Sequence, residues 1–242
     1  MSGGSGTPRD DASPTPAIDA TAVILAGGRG TRLGRRKEHV PFPGATGATF
    51  LSAHLDRWSA LFPRVAVSSR TPLDAELPAP IATILDPPEA ESVIDGIAAI
   101  LDALPQLAGG DRPVWIVAVD CPLVPPTLAR TALDAHTPGH SVFIEGDRGL
   151  EMLCGLYDPS ARAAIETLRA TGERKLSRIA EVAPARILRF PDDFPPFPDD
   201  EIGRLASALG PFFNVNTPED LARLEAVVAA KESTSDDDEG AP

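Results

Sequence analysis

The chain has 242 residues, 43% of them apolar, with a formal net charge of −13. That content can fill one sizeable core, so a single folded domain is expected. The acidity excludes a general nucleic-acid surface, and no apolar run is long enough to span a bilayer.

In chain order, residues 1–19 are rich in Gly, Ser, Pro and Asp, show no secretion signal, and read as disordered. The body, residues 20–230, alternates short β-rich runs with helical segments. TAVILAG, RVAVSS, IATIL, PVWIVAV and SVFIE read as strands buried on both faces. Between them, FLSAHLDRWSALF, SVIDGIAAILDAL, PPTLARTALDAH and PSARAAIETLRATG carry apolar residues at helical spacing. This alternation predicts a three-layer α/β domain with a mainly parallel sheet. RFPDDFPPFPDDEIG, proline-dense and acidic, reads as a surface excursion low in secondary structure until Asp200. FFNVNTPEDLARLEAVVAA then predicts a short strand, a turn and a last helix, with Thr217 as N-cap, Pro218 at its first position and Asp220 three residues after the cap. Residues 231–242 read as a disordered acidic tail.

In an open α/β sheet, ligands bind beyond the carboxyl ends of the strands. LAGGRGTRLGRRK lies there, after the first strand, and gathers Arg32, Arg35, Arg36 and Lys37 behind Gly27, Gly28 and Gly30. Glycines let main-chain N–H groups approach an anion, and the cations add full charge. The loop alone fits either a phosphate site or a flexible βα turn with solvated arginines. Its spacing matches neither a P-loop nor a dinucleotide fingerprint. Asp120, after PVWIVAV, is placed to bind a metal or to form a turn. Asp86, in TILDPP, sits at another strand end as either a base contact or a turn before Pro87-Pro88. Asn214 and Asn216 alternate about Val215 and so are expected to share one face. Asn216 equally suits a turn before the last helix, which puts Asn214 ahead as a site residue. Cys121 and Cys154, the only cysteines, lack metal-type spacing and predict a reduced, cytosolic protein. Cys121 has no readable base partner and reads as a small buried residue; Trp58 and Trp115 read as core.

The motif LAGGRGTRLGRRK resembles the LAGGxxxRMGxxK signature of the MobA-like nucleotidyltransferases, which include molybdenum cofactor guanylyltransferases. VDCPLVPP, GERKLSRI and FFNVNTPEDLARLE resemble further family segments in the family's order, so the likeness spans residues 20–230. The resemblance implies a Rossmann-like nucleotidyltransferase fold, and an enzyme that transfers GMP from GTP to the phosphate of molybdopterin with release of pyrophosphate. It implies Leu25, Ala26, Gly27, Gly28, Lys37, Ser68, Asp86 and Asp120 at the nucleotide. Arg32, Lys37 and Asp120 would be catalytic, Asp120 would hold Mg²⁺, and Asn214 and Asn216 would face the acceptor. The implied partners are GTP or another NTP, molybdopterin and molybdoenzyme chaperones.

Several positions depart from the pattern. Arg36 stands where the family has Asp, Glu38-His39-Val40 replaces an apolar stretch, and Glu151-Met152 replaces a Gln- or His-Pro pair. Glu91-Ser92-Val93-Ile94-Asp95-Gly96 is closer to the related cytidylyltransferases. Two other functions therefore stay open. One is cytidylyl or other nucleotidyl transfer to molybdopterin or a small phosphorylated alcohol. The other is a non-catalytic nucleotide-binding accessory protein.

Overall fold

The computed structural model describes residues 18–27, 33–73 and 77–235. Most of the segments expected to be disordered, residues 1–17 and 236–242, lie outside the described residues, as do Gly28, Gly30 and Arg32.

The strands are β1 (Thr21–Leu25), β2 (Val65–Ser69), β3 (Ala82–Leu85), β4 (Val114–Ala118), β5 (Ser141–Gly146), β6 (Gly149–Leu150), β7 (Cys154–Tyr157) and β8 (Ala185–Arg189). They form one sheet in the order β3-β2-β1-β4-β7-β5-β6, with β8 paired to β5. Neighbours β1–β2, β1–β4, β2–β3 and β5–β8 are parallel; β7 runs antiparallel to both β4 and β5.

The α-helices are α1 (Phe50–Ser59), α2 (Val93–Ala108), α3 (Pro126–Asp134), α4 (Ala161–Ala170), α5 (Ile179–Val182), α6 (Glu201–Leu209) and α7 (Pro218–Ser235). The period-2 alternation of strand side chains divides the core into two layers. Ala22 and Ile24 of β1, with Trp115 and Val117 of β4, pack with α1, α3, α6 and α7. Val23, Val114 and Ile116, from the same strands, pack with α2, α4 and α5 on the other face. Trp58 and Trp115 are fully buried with ring centroids 5.9 Å apart, as the apolar runs around them implied. The sheet is thus sandwiched between helical layers, the three-layer α/β fold expected.

Local signals start the helices. The Thr49 hydroxyl accepts from Ser52 N and Ser52 Oγ accepts from Thr49 N, a reciprocal cap on α1. At α7 the expected cap is present: Asp220 Oδ2 accepts from Thr217 N and Thr217 Oγ1 accepts from Asp220 N. That helix continues past residue 230 to Ser235. Asp200 caps α6, its carboxylate accepting from Gly203 N at 2.6 Å.

Two readings are corrected. No strand forms at Phe212–Asn216: Pro211-Phe212 turns, Thr217 leads into α7, and residues 213–216 between them pair with no strand of the sheet. One main-chain bond, Val215 N to Asp120 O at 2.8 Å, ties the segment down instead. The proline-dense stretch after β8 is low in regular structure, as expected, yet it is not merely a surface excursion. Phe190 stacks on Phe197 at 5.6 Å and meets Phe212 edge-on at 5.8 Å.

No helix among the described residues is long and apolar enough to cross a membrane.

The cap of α2 carries a pH signature. Burial works against the charge of Asp95. The bonds from Arg169 Nε, Ser92 N and Glu91 N outweigh it and hold the carboxyl at about 2. A depressed folded-state value means stability present above the unfolded carboxyl range and lost as pH falls toward 2. Asp95→Asn should therefore lower Tm at pH 7, and the Tm difference from wild type should shrink between about pH 4 and pH 2. Calorimetry across that range checks this.

Candidate active site

Strand order places the site. β1 lies between β2 and β4, and the β1–β2 connection carries α1 on one face while the β3–β4 connection carries α2 on the other. The crossovers diverge at the carboxyl end of β1, where a crevice must open. A cavity of about 210 Å³ is there, lined by Leu25, Gly27, Lys37, Ser68, Asp86 and Asp120 among others.

Its polar centre is a three-way contact. Lys37 Nζ donates to Asp120 Oδ2 and to Asn216 Oδ1. Lys37 and Asp120 expose only 13% and 16% of their side chains, so the pair is shielded from solvent screening. Lys37 opens a short 3-10 turn, Lys37–His39, and Asp120 follows β4.

The Asp120 loop is held from below. The half-buried Arg57 of α1 donates to Pro122 O at 2.8 Å and Val124 O at 3.2 Å. Burial lowers this guanidinium to about 10, opposed by Asp200 and Glu201 at the start of α6. One turn earlier, His54 Nδ1 accepts from Trp58 Nε1 at 3.0 Å, and burial keeps its imidazole neutral. Cys121 and Cys154 are buried free thiols, and that of Cys121 is pushed up by Cys154 and by burial, so it is a packing residue here.

The other end of the cavity holds Asp86. Burial raises its carboxyl, while the Arg70 charge and the Ser68 hydroxyl oppose the shift. The Ser68 hydroxyl is itself buried, and no hydrogen bond of ordinary geometry fills it. Two glycines keep this space open. A Cβ on Gly96 of α2 would lie 3.2 Å from Asp86 Oδ1, and one on Gly27 would lie 2.8 Å from Arg70 N. Gly27 is therefore required by close approach to backbone and not by backbone angle, while Gly96 leaves the Asp86 carboxylate its room.

Of the residues the sequence singled out, Leu25, Gly27, Lys37, Ser68, Asp86 and Asp120 line this cavity. Ala26 is buried behind it, its N–H donating to Ser68 O at 2.8 Å. Gly28 and Arg32 lie outside the described residues. The two asparagines part company: Asn216 meets Lys37, whereas Asn214 lines a second cavity. The clustered cations part too. Arg36 pairs with the buried Glu38 and reaches Thr71 and Pro72, whereas Arg35 is exposed. Arg70, Ser92, Val93 and Leu153 also line it and were not singled out as site residues. The Ser92–Gly96 pattern was the one visible signal for Ser92 and Val93.

The site's donor set suits a divalent ion that arrives with a polyphosphate. No cluster of three or more His, Cys, Asp or Glu that could hold a metal occurs among the described residues. The two hard oxygens, Asp120 Oδ2 and Asn216 Oδ1, already converge on a cation, the lysine ammonium. Magnesium is commonly held by one or two carboxylates plus substrate phosphates, and this pair fits that role.

The glycine loop, the lysine–aspartate pair and the strand-end carboxylate agree with one family. The model for the MobA-like NTP transferase domain matches residues 22–189. The chain belongs to the MobA-like NTP transferase family. Members of this family are nucleotidyltransferases. A molybdenum cofactor guanylyltransferase of Rhizobium johnstonii is 32% identical over 84% of this chain and 90% of its own. One from Rhodobacter capsulatus is 32% identical over 84% and 93%. Among solved structures, molybdopterin-guanine dinucleotide biosynthesis protein A of Archaeoglobus fulgidus superposes with a TM-score of 0.63. It is 22% identical and covers 87% of this chain and 99% of its own. The 2-C-methyl-D-erythritol 4-phosphate cytidylyltransferase of Thermus thermophilus shares the fold at a TM-score of 0.55, with 16% identity over 86% and 98%.

Gly27→Ala tests the close approach at this MobA-like site. The added methyl would press on the Arg70 backbone, an overpacking cost of about 1–3 kcal/mol. Tm should fall, measured by thermal shift.

Proposed function

We propose that this protein transfers GMP from GTP to the phosphate of molybdopterin, releasing pyrophosphate. The observation that carries the reading is the Lys37 ammonium held between Asp120 and Asn216 at the switch point of the sheet. The guanylyltransferases to which the chain is similar support the choice of substrates.

In this reading the nucleotide lies across the first cavity. Asp86, kept clear by Gly96, accepts from guanine N1–H and the exocyclic amine, a donor pair that cytosine lacks. The triphosphate passes the glycine loop, where main-chain N–H groups receive its oxygens. Lys37 exchanges its carboxylate partner for the phosphates as the nucleotide enters. Its charge then lies where negative charge grows on the departing pyrophosphate. An acceptor phosphate oxygen forms the new bond to the α-phosphorus, and the bond to the β-phosphate oxygen breaks with its electron pair. A phosphate is already ionised at neutral pH, so no general base is needed. Asp120 and Asn216 would hold Mg²⁺, which when bound supplies charge neutralisation on the phosphate oxygens. The glycine loop's Arg32 is assigned to the same pyrophosphate. The product would pass to molybdoenzymes through their chaperones.

Pyrophosphate release, measured with each of the four NTPs with and without molybdopterin and Mg²⁺, tests the assignment. GTP with molybdopterin and Mg²⁺ should be the productive combination. Preference for CTP, or turnover without molybdopterin, would replace this reading. Lys37→Ala and Asp120→Ala should each lower kcat by roughly 10²-fold or more, because each removes charge that matters most in the transition state. Retained turnover in both variants would overturn the roles given to Lys37 and Asp120, and a wild type that binds GTP but releases no pyrophosphate would favour a non-catalytic accessory role.

A further inference from the structure

The contacts above leave a second cavity without a role. It measures about 310 Å³ and is lined by Arg148, Glu151, Phe190, Phe212, Asn214 and Arg223 among others. It adjoins the reaction centre along two segments. Asn214 is two residues from Asn216, in a segment whose Val215 N bonds to Asp120 O. Glu151 is two residues from Leu153, which lines the first cavity. Phe190, Phe212, Asn214 and Arg223 all lie beyond the 22–189 span of the family model.

The chemistry of this cavity is specific. Phe190 and Phe212 supply aromatic walls, their rings meeting edge-to-face at 5.8 Å. Arg148 donates to Phe212 O at 3.0 Å and pins that wall. A Cβ built on Gly146 would lie 3.2 Å from the Phe212 ring and 3.6 Å from Glu151 Oε1. The carboxylate and the ring therefore both border the Gly146 position. Asn214 Oδ1 is enclosed and has no donor. A buried acceptor left unfilled is costly, and a ligand donor would relieve it. The complementary ligand is a flat heteroaromatic ring that presents adjacent N–H and NH₂ groups at one edge.

We infer that this cavity holds the pterin ring of the acceptor, with Glu151 accepting from its N3–H and 2-amino groups and Asn214 Oδ1 taking a further donor. This rests on the reading that the acceptor is molybdopterin. The edge presents the same donor pair as guanine, so one enzyme reads two substrates with two carboxylates. Asp86 serves the nucleotide and Glu151 the pterin. The neighbouring Arg148 opposes the burial that raises the Glu151 carboxyl.

The test uses the full chain and two phosphate-free probes. These are 6-hydroxymethylpterin and 6-hydroxymethyllumazine, which carries oxygen in place of the 2-amino group. Fluorescence titration of the wild type should show the pterin binding about tenfold or more tighter than the lumazine, the loss of one buried hydrogen bond. Glu151→Gln turns an NH₂ toward the ligand's donors and should weaken pterin binding by about tenfold or more. The same variant should raise KM for molybdopterin with kcat and GTP affinity nearly unchanged. Equal binding of the two probes by the wild type overturns the inference. So does a Glu151→Gln protein that binds both the pterin and GTP as the wild type does. If that variant also turns over molybdopterin with wild-type KM, this subsite falls and the proposed reaction stands. If the wild type transfers no nucleotide to molybdopterin while its pterin binding depends on Glu151, the subsite stands and the proposed reaction falls.

Discussion

The ammonium of Lys37, shared between the Asp120 carboxylate and the Asn216 amide oxygen, is the contact on which the rest of the site depends. Its members are 83 and 179 residues apart in sequence, so the whole sheet must close before they meet. A largely buried carboxylate without a cation would be costly, and an isolated buried ammonium equally so. Each charge therefore stabilises the other until a substrate offers both something better.

Much of the surrounding structure holds that pair in place. Val215 N fixes the segment carrying Asn216 to the Asp120 carbonyl, and the Asp220 carboxylate accepts from Asn216 N at 3.0 Å. Arg57, half-buried, directs its charge at two loop carbonyls and has no carboxylate within salt-bridge distance among the described residues. Across the cavity, Gly27 and Gly96 do the opposite work and keep side chains out. Preorganisation here combines filled positions around the charges with vacated ones where a nucleotide must fit.

The fold was legible wherever its cause was local. Buried runs such as VWIVA and helical spacing such as that of α2 identify the sheet and its covers because strand and helix periodicities are written over a few residues. The two-residue β6 and β8 had weaker signatures. In β8 only Leu188 is buried, so no apolar run announces it. The expected strand at Phe212–Asn216 shows the converse, an extended apolar segment that finds no ladder and docks on a loop instead. The phenylalanines of the proline-dense stretch were visible as residues, but not their convergence on Phe212.

By itself, the sequence determined the three-layer α/β class, the family, and the placement of Gly27, Lys37, Asp86 and Asp120 at strand ends or in the loop beside them. Those properties follow from short-range pattern and from the rule that crevices open at the carboxyl ends of parallel strands. Only the tertiary structure decided which asparagine meets the lysine, that Arg36 pairs with Glu38, and that Glu151 and Asn214 share a cavity. These outcomes depend on contacts between distant segments, and such contacts leave no periodic or compositional trace in the chain.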